Sequence, residues 1–334
     1  PPGIRYRKVV KENEAESNWI DDSDVSINSK HTLTANRNLH SLNIYQGGNV
    51  IVNDPYRLTI GVGGISVYGS QPKSYISGSG VLTSSQSFLN IWLWTRAGEV
   101  KPLWISSVIS DNGANKVGLR IRGTEHSGYV SVVLDGDKSN TFTGPVEVSG
   151  RYNRITLNKT NGAIALRGNI SINDHAGLSI GGSGQIERNS TVRLRDASFV
   201  FSDHPDESFI KEESFHKLVV EGKSVLQFRG EVSGKRFLYL DDLSIDKGAK
   251  LLVRGWLEGT HFFLVRKTSR NLEAALKRIA FQGYDPNAIH LEDYSSEYWM
   301  INGAPEPATY GAGLMLGVLG LVRYRRRQRS SPHQ

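Results

Sequence analysis

Between Pro145 and Gly255, short segments of alternating apolar and polar residues recur in pairs, and the pairs recur at a period that can be counted. Val146/Val148 is followed by Ile155/Leu157, Ile170/Ile172 by Leu178/Ile180, and Val192/Leu194 by Phe199/Phe201. Leu218/Val220 then precedes the run Val225 to Phe228, and Leu243/Ile245 precedes Leu251/Val253. The first members stand at 146, 170, 192, 218 and 243, which gives steps of 24, 22, 26 and 25 residues. A period of this size marks a solenoid. One face of each strand is apolar and cannot be buried alone, so stacking coil on coil both pairs the strands and closes a continuous core.

The turn residues agree. Asn161-Gly162, Asp174-His175-Ala176-Gly177, Gly181-Gly182-Ser183-Gly184 and Lys247-Gly248 fall between strands, where Gly and Asn tolerate positive φ. The expected fold is all-β: a single-stranded, right-handed parallel β-helix. The rival, an antiparallel sandwich, also has short strands at regular spacing but does not require pairs to recur every 22 to 26 residues. Further upstream, Leu42/Ile44, Val50/Val52, Leu58/Ile60 and Ile65/Val67 read as less regular short strands, with coils beginning near residue 20. The charged stretch before them reads as a frayed or capping end, which solenoids need to blunt an open edge.

After the repeats the period changes. Leu272, Leu276 and Ile279 follow helical spacing, with Glu273 early and Lys277 and Arg278 late, as the helix dipole favours. A short capping helix is expected within Ser269 to Phe281, followed by the strand-like Ala288 to Leu291, with Asn302-Gly303 opening a linker.

The last thirty residues carry a different signal. Pro305-Glu306-Pro307 cannot continue a helix and holds its backbone extended. From Tyr310 to Val322 there is no charge, and Leu314, Leu316, Val318, Leu319, Leu321 and Val322 make the stretch apolar. Arg323, Arg325, Arg326, Arg327 and Arg329 follow, as in the positive flank that stays cytoplasmic. As a membrane span it is short, since about 20 apolar residues cross the hydrocarbon core. Triplet, short apolar helix and terminal arginines together resemble the PEP-CTERM sorting signal. The resemblance implies that Pro305, Glu306 and Pro307 are recognised by an exosortase-like processing enzyme of a Gram-negative envelope. It also implies an inner-membrane intermediate, then delivery to the cell surface, outer envelope or extracellular matrix.

A second resemblance covers Ile105 to Leu194. Ile105-Ser106-Ser107-Val108-Ile109-Ser110-Asp111-Asn112-Gly113, then Asp137 to Val146 with its Asn140-Thr141-Phe142-Thr143-Gly144 core, and Leu157-Asn158-Lys159-Thr160 are similar to autotransporter-associated β-strand repeats. These imply a passenger-like surface protein. Arg151-Tyr152-Asn153 stands where such repeats usually place a glycine turn.

Composition is consistent with export. The 334 residues include no cysteine, so the fold rests on burial and hydrogen bonding alone. The net charge of +7 falls to +2 when the five tail arginines are removed, 7 − 5 = 2, and no nucleic-acid partner is expected. The chain opens Pro1-Pro2-Gly3-Ile4-Arg5, without a methionine or apolar leader, and is read as truncated or processed there.

Enzymatic chemistry is weighed and declined. Asp21-Asp22-Ser23-Asp24, Asp135-Gly136-Asp137, Asp203-His204-Pro205-Asp206 and Asp241-Asp242 are the acidic candidates, each of which reads more simply as turn or loop polarity. A glycosidase needs two carboxyl groups about 5 to 9.5 Å apart across one cleft, which sequence does not reveal. No zinc-binding His-Glu-x-x-His or nucleophile-elbow pattern occurs. Phe88, Trp92, Trp94 and Trp104 are either a sugar-stacking platform or core, and core packing is the favoured reading.

The resulting organisation is a frayed or capping segment (1–20), parallel β-helix (21–268), capping helix and terminal strands (269–301), linker with the Pro-Glu-Pro motif (302–309), transmembrane helix (310–322) and basic cytoplasmic tail (323–334). The expected function is noncatalytic display at the surface or in the matrix, with no catalytic residue, metal or cofactor. The expected partners are the processing enzyme and the membrane, with exopolysaccharide as a further candidate. The alternatives are an extracellular polysaccharide-binding or polysaccharide-degrading β-helix protein and an adhesin.

Overall fold

A computed structural model describes residues 7–12, 14–45, 47–68, 73–94, 101–123, 130–202, 210–229 and 234–305. The chain winds as a mostly-β parallel solenoid in which each coil contributes strands to two long sheets. The recurring pairs predict the pairing. Val146, Ile170, Val192, Leu218 and Leu243 stand in register as one column of the larger sheet. Ile155, Leu178, Phe199, Leu226 and Val253 form the equivalent column of the smaller sheet. All ten side chains are buried, and the two columns face each other across the core. Parallel pairing throughout these ladders excludes the sandwich.

The core is a file of aliphatic side chains that turns aromatic toward the C-terminus. Phe201 stacks on Phe228 at 5.3 Å, and Phe228 on His261 at 4.8 Å. Coils begin earlier than residue 20, because Val9–Val10 already pairs with Ser23–Ile27 in parallel. The stretch between them forms a cap: Trp19 is buried and Glu16 pairs with Arg37 at 2.5 Å. Leu58/Ile60 and Ile65/Val67, read as two strands, belong to one strand, Arg57–Tyr68. Gly61, Gly63 and Gly64 keep it continuous through a register shift because a Cβ at any of them would press on the neighbouring coils.

The C-terminal cap departs most from expectation. The helix is only Leu272–Leu276. Ile279 leaves it for the strand Ile279–Phe281, which extends the smaller sheet against Lys250–Arg254. An exposed ladder edge offers Ile279 and Phe281 both backbone partners and burial, which outweighs their helical spacing to Leu272. An antiparallel hairpin, Tyr284–Asp293 with Tyr298–Pro305, then closes the larger sheet against His261–Arg266. Asn302 and Gly303, read as the start of a linker, lie inside this hairpin: Asn302 is buried and its Oδ1 accepts the Trp256 indole N–H at 3.2 Å. Among the described residues no helix is long and apolar enough to cross a membrane. Residues 306–334, with the expected transmembrane helix and basic tail, lie outside them.

Candidate functional site

The strand Phe88–Trp94 decides how the aromatic cluster is used. Leu89, Ile91 and Leu93 point inward and are at most 1% exposed, so the alternation turns Trp92 and Trp94 outward, and Trp94 is 43% exposed. The core-packing reading is therefore overturned for this pair. Among the described residues no second layer closes over Trp94.

Ladder register extends the surface. Tyr45, Tyr68 and Trp94 occupy one outward column. Tyr45 stacks on Tyr68 at 4.8 Å and 11°, and Tyr68 on Trp94 at 6.0 Å and 5°. Burial pushes the Tyr45 hydroxyl above its usual titration range, with Tyr68 adding to the effect. In the adjacent column Asn43, Ser66, Trp92 and Arg122 follow one another, and the Arg122 guanidinium lies 5.9 Å from the Trp92 ring. Phe88 carries Arg120 at 3.8 Å, and Arg120 Nε donates to Glu147 at 2.7 Å. The arrangement is a flat, amphipathic stripe of ring edges with amide, hydroxyl and guanidinium neighbours, chemistry that suits the mixed faces of a sugar. Trp104 is not part of it. It sits on the smaller sheet beside Tyr75 and under Lys73.

The acidic candidates do not converge. Asp24 accepts from Ser41 at 2.5 Å and Asp21 from Asn38 at 3.1 Å, while Asp22 faces Arg7 and His40. Asp241 joins Arg188 at 2.6 Å, Arg266 at 2.8 Å and His216 at 3.4 Å; Asp242 pairs with Lys217 and Ser269. Burial draws the Asp242 carboxyl upward, but Lys217 and Ser269 outweigh it and hold it below the usual range. Asp203, His204 and Asp206 lie outside the described residues. Among the described residues no three His, Asp or Glu side chains group as a metal site would require.

Among the buried titratable groups that sequence reasoning missed, three have strongly shifted protonation. Lys159 ends an inward-phased strand, and burial lowers its ammonium to about 8 while its Nζ donates to the Asp135 carbonyl at 2.8 Å. The same burial raises the Asp135 carboxyl. Glu213 is wholly enclosed and raised to about 8 by that enclosure, although the Gln185, Ile186 and Ser214 backbone N–H groups donate to it. His261 is the third. In each case the alternation phase was the available signal, since each residue occupies an inward position.

Of the expected sorting residues, Pro305 is the last residue of the closing strand and pairs with Tyr284. Glu306, Pro307, the anchor residues Tyr310 to Val322 and the five arginines lie outside the described residues. The fold and surface together define a capped parallel β-solenoid with an outward aromatic stripe. No protein-family model, curated protein or solved structure matches the chain.

Proposed function

We propose that this is an exported, noncatalytic surface or matrix protein of a Gram-negative envelope, sorted through its C-terminal Pro-Glu-Pro signal by an exosortase-like enzyme. The observation that carries the reading is the closing hairpin. The closing strand Tyr298–Pro305 ends on the first residue of the triplet, so in this reading an enzyme that grips the tail beyond Pro305 has no coil to open. In this reading the coils are a rigid rod whose outer face is displayed, and the membrane segment is a transient anchor.

Replacing Pro305, Glu306 and Pro307 together by alanine tests it. The expected outcome is a protease-resistant body retained as full-length protein in the inner membrane; unchanged processing and surface delivery would refute the sorting role. Polysaccharide binding is the second reading, favoured by the outward stack of Tyr45, Tyr68 and Trp94. Glycan turnover abolished by an aspartate substitution would replace both with an enzyme.

A further inference from the structure

The arginines of this solenoid are unevenly neutralised. Several on and beside the larger sheet are paired: Arg193 and Arg195 share Glu221 at 2.9 and 2.6 Å, Arg188 and Arg266 share Asp241, and Arg120 holds Glu147. The smaller sheet is different. Its outer face carries a trough of about 470 Å³ lined by Arg151, Arg154, His175, Arg229 and Arg254, with no carboxylate in the lining. Neither Arg151, Arg229 nor Arg254 has a carboxylate within ion-pair distance among the described residues. The Arg151 guanidinium instead lies 4.9 Å from the Tyr152 ring.

The floor explains the shape. In register with Arg154, the next three coils place Gly177, Ser198 and Val225. The small side chains there leave a depression between arginines at its two ends. A Cβ at Gly177 would lie 2.9 Å from Ser198 Oγ and 3.3 Å from Arg154 Nε, so the missing side chain is what lets Arg154 extend across the floor. Four ladder steps separate the coil of Arg154 from that of Arg254, about 19 Å at the spacing of paired strands.

The rim is built from turns: Tyr152 and His175 hold φ of 71° and 63°, the left-handed conformation that other inter-strand turns of this chain also use. Both residues line the trough.

We infer that this trough binds an acidic polysaccharide, a linear glycan bearing carboxylates, laid parallel to the solenoid axis. Guanidinium groups meet carboxylates in a planar, two-point fashion, and the trough presents them at both of its ends along the solenoid axis, so that separate units of one linear polymer can be held at once. Ser198 and Gln227 supply neutral polar groups between the charges. Single-stranded nucleic acid fits less well, because it is held by aromatic platforms that stack bases, and the one aromatic ring here already lies beside Arg151. The inference deepens the matrix-protein reading and rests on it for the ligand's class, but purified protein tests it without export.

The test is binding of the detergent-solubilised full chain to polygalacturonate, neutral dextran and oligo-dT, at low and high salt. Polygalacturonate is expected to bind, to weaken with salt, and to lose about tenfold or more in affinity in Arg229→Gln/Arg254→Gln. Gly177→Glu, which places a carboxylate on the floor, is expected to lose at least as much, and Arg193→Gln/Arg195→Gln on the other sheet to lose nothing. Thermal melts confirm that each variant is folded. Equal binding by dextran, unchanged binding in Arg229→Gln/Arg254→Gln, or tighter and equally Arg229-dependent binding of oligo-dT would each overturn the assignment. Unchanged surface delivery in the tail variant with binding intact would instead sink only the sorting reading.

Discussion

Asp111 and Thr143, 32 residues apart in sequence, are joined twice: Asp111 Oδ1 accepts the Thr143 backbone N–H at 3.0 Å, and Asp111 Oδ2 accepts its hydroxyl at 2.8 Å. Asp111 also accepts the Val117 N–H at 2.7 Å. These bonds outweigh the upward pull of burial and hold the Asp111 carboxyl below its usual range. Two of the three segments that resemble autotransporter-associated repeats are thus partners across one inter-coil step, and the Asn-Thr-Phe-Thr-Gly element has a structural role. Asn140 binds the coils on both sides, Phe142 fills the core and Gly144 permits close backbone approach.

Asn140 Oδ1 accepts the Ile109 N–H at 3.0 Å and its Nδ2 donates to the Ala165 carbonyl at 2.9 Å, both buried. Asn140→Ala strips a partner from each and is expected to cost about 2–4 kcal/mol. The denaturant midpoint of the purified protein measures it; a loss below ~1 kcal/mol would contradict the bridging role.

A Cβ at Gly144 would lie 2.6 Å from the Val117 carbonyl oxygen, whereas at Gly162, with φ of 72°, it meets nothing within 4 Å. Gly144→Ala must move backbone and is expected to cost about 2–3 kcal/mol. Gly162→Ala bears only its dihedral strain, about 1 kcal/mol. Reversal of that order in thermal melts would show that the coils are packed otherwise.

Leu93 is 1% exposed and Trp94 43%. Leu93→Ala should open a core cavity and cost about 2–5 kcal/mol. Trp94→Ala should cost about 1 kcal/mol, the scale of a lost aromatic contact. Comparable losses in the two variants would return the tryptophan to the core.

His261 Nδ1 accepts the Leu257 N–H at 3.0 Å, so the folded ring is neutral there. Burial first, and then the charge of Arg236, lower it from 6.5 to about 4. Between those values the unfolded chain binds the proton and the folded chain does not, so stability is complete above about pH 6.5 and is lost as pH falls toward 4, on the order of 3 kcal/mol in full. His261→Asn retains an acceptor for Leu257 and removes the titration. Its urea midpoint should be flatter than the parent's across that window, and an unchanged slope would assign the acid limb to other groups.

The repeat columns were legible because alternation at a fixed period leaves only one way to bury every apolar position. Val146, Ile170, Val192, Leu218 and Leu243 could be aligned by counting. The capping helix is found where expected, at Leu272–Leu276, but Ile279 leaves it because that residue satisfies helical spacing and ladder alternation alike, and only a vacant sheet edge decides between them. Trp92 and Trp94 were misread because sequence shows that two faces differ but not whether a second layer covers the outer one. Asn302 and Gly303 look like linker residues until Trp256 and Phe281 are placed beside them.

The amino-acid sequence by itself determined the winding: period, strand phase and turn residues are local properties, and each is satisfied within about 25 residues of its own coil or the next. Charge partnership was decided only by the tertiary structure. Arg195 and Arg254 are alike as sequence, each ending an apolar strand, yet one meets Glu221 and the other looks along a trough lined by no carboxylate. The reason is that an outward side chain takes its neighbours from adjoining coils, so its electrostatic setting depends on ladder register and on how small the intervening residues are.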